Sequence, residues 1–293
     1  MSSIYEEQNM SENPLLNYQV QPGTYVRLPS GGKFYDHPPT LTADGEIEVK
    51  PMNAVDELHF LNPDSLLNNE SLYKVIENCV PGIPVAREIL KPDMDVIMLG
   101  LRVATYGDDM EITAQCAKCN HTDKYMANLT RILASAKSIG ENTQIELNGL
   151  RINVKPFTVA SQQNLTETMV NIKRTSKQLE AKLKGNETDE EVINKLREEM
   201  GAMVKESSAE IFRLASDSIV SIEMPDETVV SERPFIYEWL DTLRAPDYKV
   251  IRNAVQALSE ETVDRHMTFV CTQCEHENNV EVQFDPANFF VLN

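Results

Sequence analysis

Cys116-Ala117-Lys118-Cys119-Asn120-His121 and Cys271-Thr272-Gln273-Cys274-Glu275-His276 are two copies of one short pattern, set about 150 residues apart. Each is a CxxC pair with a histidine two positions after the second cysteine. Each also lies between stretches of strand character: Met110 to Thr113 and Tyr125 to Leu129 around the first, Met267 to Val270 and Val280 to Phe284 around the second. A CxxC turn places two thiolates where one ion can take both, and two such turns complete a tetrahedral set of four sulfurs. The pattern predicts that Cys116, Cys119, Cys271 and Cys274 hold one structural Zn2+ in a zinc ribbon. Iron accepts the same four thiolates, so the ligand set alone does not choose the metal.

Other uses of these cysteines fit less well. Burial as small apolar groups does not explain why two distant blocks share one spacing and one setting. A redox pair calls for a CxxC opening a helix in a βαβ unit, whereas both pairs here sit between strands. Four thiolates leave no open position for water or substrate, which argues against a catalytic zinc. His121 and His276 read as groups that shape the turns rather than as ligands. Cys79 has no partner nearby in sequence and reads as a core residue. The wide separation means that the ion ties the C-terminal end of the chain to its middle and contributes directly to folding.

At 293 residues the chain can hold one large or two ordinary domains, and 41% hydrophobic residues suffice for a real core. A net charge of −19 argues against a broad grip on phosphate backbones and fits a protein that meets other proteins. Few cysteines, paired as CxxC, indicate a reducing compartment. No apolar run approaches a membrane span, and Met1 to Glu7 is no signal peptide, so a soluble, cytoplasm-made protein is expected.

Residues 1–22 read as a flexible arm. Tyr25 to Leu28 and Ile47 to Lys50 read as strands, and Pro29-Ser30-Gly31-Gly32 as a hairpin turn. The Gly31-Gly32-Lys33 run lacks the other residues of a phosphate loop. Asn53 should cap a helix carrying Val55, Leu58 and Phe60, and Asn62-Pro63-Asp64 should start one carrying Leu66, Leu67, Leu72, Val75 and Ile76. A helix over Pro92 to Tyr106 should end at Gly107. Asp93, Asp95, Asp108 and Asp109 lack the glycine-centred loop of a calcium site and read as solvated caps.

Asn148-Gly149 is the preferred two-residue hairpin turn between Ile145-Glu146-Leu147 and Leu150 to Val154. Residues 158–216 are charged, alanine-rich and helical in period. A break at Gly185-Asn186 predicts an antiparallel helical hairpin, with Lys173, Arg174, Lys177, Lys182 and Lys184 facing Glu190, Glu191, Glu198 and Glu199. Ser218 to Glu223 and Thr228 to Val230 should pair around an Asp226-Glu227 turn, and Pro234 and Pro246 should each open a helix. The apolar tail Phe284 to Leu292 needs a core or a neighbour to cover it. The expected architecture is α+β: a body of residues 23–157 plus 217–293 closed by the metal, with the helical insertion 158–216 projecting from it.

Leu28-Pro29-Ser30-Gly31-Gly32-Lys33-Phe34-Tyr35, Phe60-Leu61-Asn62-Pro63-Asp64 and the run Asp95 to Gly107 resemble the baseplate proteins of T4-like contractile-tailed bacteriophages, in the group of hub and hub-assembly subunits. The Phe284 to Leu292 tail adds to the likeness, and the helical insertion has no counterpart in it. The resemblance implies a non-enzymatic virion or assembly protein of the tail baseplate, made in the host cytoplasm and docking among other tail proteins, with no nucleic acid and no membrane insertion. Two other classes remain for comparison. A zinc-ribbon regulator that binds nucleic acid or RNA polymerase would carry basic residues around the knuckles, where this chain has Glu111, Asp123, Glu275, Glu277 and Glu281 beside Lys118, Lys124 and Arg265. An enzyme needs a nucleophile or acid–base pair placed by some motif, and no motif places any of the five histidines in one.

Overall fold

Short antiparallel sheets alternate with helices along the chain, so the class is mixed α+β, as the sequence patterns require. The structure is a computed structural model and describes residues 23–59, 69–140, 143–184, 190–260 and 262–282. The expected arm 1–22, the Asn62-Pro63-Asp64 helix start, the Gly185-Asn186 break and the tail Phe284 to Leu292 lie outside these residues.

The N-terminal half builds the first core. Strand β1 (Thr24–Val26) pairs antiparallel with β2 (Ile47–Val49). Pro29 to Gly32 do form a turn, but it lies inside the long β1–β2 connection rather than at a tight hairpin. Helix α1 (Ala54–His59) starts where Asn53 Oδ1 accepts the N–H groups of Val55 and Asp56. Val55 and Leu58 of this helix face outward instead of packing. Helix α2 (Glu70–Cys79) buries Leu72, Val75 and Ile76 on one face. Helix α3 (Lys91–Tyr106) has a proline in its first turn and stops at Gly107, whose φ of 89° suits only glycine. It is buried over most of its length and passes so close to the first sheet that a Cβ on Gly100 would meet Val26 Cγ1 at 2.9 Å.

Asp93 and Asp95 are not solvated caps. Both are buried, in the first turns of α3. The Asp93 carboxylate accepts Ser30 N–H (2.8 Å), Ser30 Oγ–H (2.5 Å) and Tyr35 Oη–H (2.7 Å). It thereby fixes the loop of Leu28 to Tyr35 against the helix N-terminus. Three donors offset most of the cost of burying a carboxylate, and the helix dipole favours the charge. Burial still outweighs those bonds and raises the Asp93 pKa above the usual carboxylate value. Asp95 pairs with Arg265 from the far end of the chain. Asp108 and Asp109 are exposed, as expected of caps.

Strands β3 (Asp109–Gln115) and β4 (Thr122–Asn128) form a hairpin, followed by helix α4 (Leu129–Ala134). A second core then forms on a four-stranded antiparallel sheet. Strands β5 (Gln144–Leu147) and β6 (Leu150–Val154) join at Asn148-Gly149, whose φ values of 52° and 81° are those the turn demands. Beyond helices α5 (Val159–Lys184) and α6 (Glu190–Ser218), β7 (Ile219–Glu223) pairs with β6, and β8 (Val229–Val230) returns beside β7. Helices α7 (Arg233–Thr242) and α8 (Ala245–Leu258), each with proline in its first turn, cover the sheet and bury Ile236, Leu240, Ile251 and Val255 against Ile152 and Ile219. Phe157 joins the two cores: its carbonyl accepts Lys91 N–H at 3.0 Å, and its N–H donates to Ser259 Oγ at 3.1 Å.

The chain then returns to the first core through β9 (His266–Val270) and β10 (Glu277–Glu281), with Val263 and Val282 packed there. Strand β10 begins earlier than the expected Val280 to Phe284, because the strand starts immediately after the knuckle closes.

Helices α5 and α6 lie side by side, with Thr175 Oγ1 3.7 Å from Met203 Sδ and Ser207 Oγ 3.9 Å from Met169 Sδ. Among the described residues, Lys173, Arg174, Lys177, Glu198 and Glu199 are exposed and make no ion pair across the two helices. The apolar spacing turns the seam inward and carries the charges to the outer flanks.

Candidate metal centre

The two CxxC turns are geometric copies. In the first, Cys116 N–H donates to the His121 carbonyl (2.8 Å) and Asn120 N–H to the Cys116 carbonyl (2.9 Å). In the second, Cys271 N–H donates to His276 O (2.9 Å) and Glu275 N–H to Cys271 O (3.0 Å). The residue after each second cysteine takes the left-handed conformation, with φ 58° at Asn120 and 56° at Glu275. Asparagine accepts that region readily, and glutamate does so at some cost. The two histidines close the turns through their backbone carbonyls. The His121 ring lies 3.9 Å from Asp123, and no histidine belongs to the sulfur cluster.

These turns bring Cys116, Cys119, Cys271 and Cys274 together, with all four sulfurs within 4.8 Å of one another. The close pairs cross between hairpins: Cys116 to Cys274 at 3.7 Å and Cys119 to Cys271 at 3.6 Å. Sulfurs ~2.3 Å from one ion in a tetrahedron are ~3.8 Å apart, whereas a disulfide holds them at ~2.05 Å. The cluster is therefore able to bind one metal ion. The first cysteine of each turn is fully buried, and the second is half-buried at the rim.

Several contacts hold the two hairpins in register besides the sulfurs. Asn278, buried in β10, accepts Ala117 N–H through Oδ1 (2.9 Å) and directs Nδ2 to His276 O (2.9 Å) and Cys116 Sγ (3.5 Å). Thr272 Oγ1–H donates to Asp123 Oδ2 at 2.7 Å and, with Lys124 N–H, holds that carboxyl below its usual range. The rings of Tyr125 and Phe269 meet across the interface with centroids 4.1 Å apart. Sequence reasoning missed Asn278. Its only signal is a polar residue at an inward position of a short strand beside a knuckle.

The local charges follow from this geometry. Burial raises the Cys116 thiol, but the backbone N–H groups of Cys119 and Lys118, with the Asn278 amide, outweigh it and bring the group down to about 6. At Cys119 the His121 N–H lowers the value, yet desolvation and the three neighbouring sulfurs dominate and push it up to about 12. The protein by itself thus favours the thiolate at Cys116 and disfavours it at Cys119, where a neighbouring cation would reverse the balance. Cys79 stands apart in the first core, its thiol raised to about 12 by burial and by Asp56.

A family model described as "T4 bacteriophage base plate protein" matches residues 23–291, nearly the whole chain. The chain belongs to the T4 bacteriophage base plate protein family. No curated protein and no solved structure matches it. Membership gives the chain a structural role in a phage tail baseplate, a virion component that assembles with other tail proteins. The match runs through both knuckles and across residues 158–216, so it takes in the two long helices too. No helix among the described residues is long and apolar enough to cross a membrane.

Proposed function

We propose that this baseplate protein is a non-enzymatic structural or assembly subunit whose fold is closed by one Zn2+ bound to Cys116, Cys119, Cys271 and Cys274. Support comes from four sulfurs in one cluster, whose cross-hairpin spacing of 3.6 and 3.7 Å fits a tetrahedral site. The ion would supply cross-linking alone, joining the β3–β4 hairpin to the β9–β10 hairpin as a zinc ribbon. Residues 23–157 plus 217–293 form the body, residues 158–216 a helical hairpin insertion, and residues 1–22 an arm. The protein is made in the host cytoplasm and binds other tail proteins through its acidic surface.

Co-expression with the other tail proteins of its phage, followed by affinity purification, tests this reading. Wild type should bring tail proteins with it, and Cys119→Ser/Cys274→Ser should not. Equal recovery by the variant would remove the metal from the account. Absence of tail proteins from the wild-type sample would remove the assembly role.

A further inference from the structure

Arg102, in helix α3, is a buried cation that no carboxylate among the described residues neutralises. It is 7% exposed, and its Nε and Nη1 atoms are buried with no hydrogen-bond partner. The guanidinium carbon stands 4.3 Å from the centroid of the Tyr106 ring. Burial lowers the Arg102 pKa, and what opposes it is that tyrosine rather than an acid. Two other largely buried cations do have acids: Lys155 meets Asp36 at 3.3 Å, and Arg265 meets Asp95. A guanidinium presents a planar fork of donors that matches a carboxylate, and a ring face satisfies none of them. Leaving such a charge unpaired in a core is strongly unfavourable.

The course of the chain points to the missing acid. Asp95, Met98 and Arg102 follow one another at steps of three and four residues, so they line one face of α3, and all three are buried. Gly100, which rests on β1 and β2, lies on the opposite side. Arg265 reaches Asp95 on the Arg102 face, and Val282 N–H donates to Arg265 O at 2.9 Å. The chain therefore leaves β10 beside the Asp95 end of this face. Gln283 to Leu292 follow, outside the described residues, with one acid (Asp285), no base, and the apolar Phe284, Phe289, Phe290, Val291 and Leu292. Three extended residues from Val282 to Asp285 span up to ~10 Å, and α3 rises ~10.5 Å from Asp95 to Arg102. Pro286 biases the residue before it toward the extended backbone that this reach needs.

We propose that Gln283 to Leu292 dock in cis along the Asp95–Met98–Arg102 face of α3, with the Asp285 carboxylate on the Arg102 guanidinium. The pair neutralises the buried cation, and the docked segment covers its own apolar side chains. The C-terminal part of the chain is then fastened twice, by the sulfur cluster before β10 and by Arg102 after it. The apolar tail is in this way an internal latch and not a surface offered to a neighbour.

Limited chymotrypsin digestion of the full metal-loaded chain, with the masses of the first fragments read, tests the proposal. Cuts after Phe284, Phe289 and Phe290 should be slow in wild type at every protein concentration. Asp285→Asn and Arg102→Met should each speed these cuts at least tenfold and leave cuts before Val282 unchanged, because cleavage follows the local opening of the tail. The double variant should be cut no faster than either single one, since each change breaks the same pair. Asp64→Asn, which removes a different acid outside the described residues, should behave as wild type. Asp285→Asn leaves α3 untouched and carries the test alone if Arg102→Met does not fold. The proposal is overturned by a wild-type tail cut as fast as a free peptide of residues 283–292, or by an Asp285→Asn tail as resistant as wild type. Effects that multiply in the double variant, a rise spread evenly over the chain, or a response to Asp64→Asn instead would overturn it too. Protection that grows with protein concentration would put the tail on a second copy and equally overturn it.

Discussion

Replacing Asp93 by asparagine probes how the Leu28 to Tyr35 loop is held. The carboxylate is fully buried and accepts three hydrogen bonds, from Ser30 N, Ser30 Oγ and Tyr35 Oη, at 2.5–2.8 Å. Hydrogen bonds to a charged group contribute about 1.5–3 kcal/mol each, and an amide keeps an acceptor at only one of its two terminal atoms. A loss of about 3 kcal/mol is expected for Asp93→Asn, against about 2 kcal/mol for Tyr35→Phe, which removes a single bond. The pH dependence carries a sign. Burial raises the Asp93 pKa in the folded protein above its value of about 3.9 in the unfolded chain. The folded state therefore binds the proton more tightly, and the stabilisation from this titration is complete below pH ~3.9. It is lost as pH rises through the folded value. The stability difference between wild type and Asp93→Asn should accordingly be larger at pH 4 than at pH 7. Urea unfolding of both proteins across this range measures it, and contributions common to both, including the metal site, cancel in the difference. A difference below 1 kcal/mol, or one that grows toward pH 7, would refute the account of this carboxylate.

Asn278→Ala removes the amide that reaches Cys116 Sγ, His276 O and Ala117 N–H while leaving four thiols in place. Metal affinity should fall about 10–100-fold, read by competition with a chromophoric chelator, with little change in circular dichroism. Gly100→Val pushes a branched side chain toward Val26 and Val49, whose methyls stand 2.9 and 3.3 Å from a built Cβ. A destabilisation of about 1–3 kcal/mol or more is expected in denaturant, and an unchanged midpoint would show that α3 does not lie so close to the first sheet.

Features set by neighbouring residues were legible in the sequence. The two knuckles, the Asn148-Gly149 turn, the Asn53 cap and the helices opened by Pro234 and Pro246 each depend on a few adjacent residues whose backbone preferences agree. The sulfur cluster was legible because two identical motifs predict one shared site. Long-range pairing was not. Asp93 looked like a solvated helix cap because Ser30 and Tyr35, which bury it, lie about 60 positions away. Asp95 likewise meets Arg265 from 170 positions further on. The expected charge pairing of Lys173, Arg174 and Lys177 with Glu198 and Glu199 failed for a related reason. Helical period fixes which residues share a face, but the seam direction is set by where Thr175, Met203 and Ser207 meet. Asn278 carried no motif at all, and only the fold shows its amide against Cys116.

Elemental analysis of the purified chain, beside Cys116→Ser/Cys271→Ser, addresses the proposed clamp most directly. The account predicts one zinc per wild-type chain and none in the variant, whose hairpins lose their cross-link and with it the solubility of the protein. A metal-free wild type that is fully folded would contradict it, and the four sulfurs would then be packing groups alone.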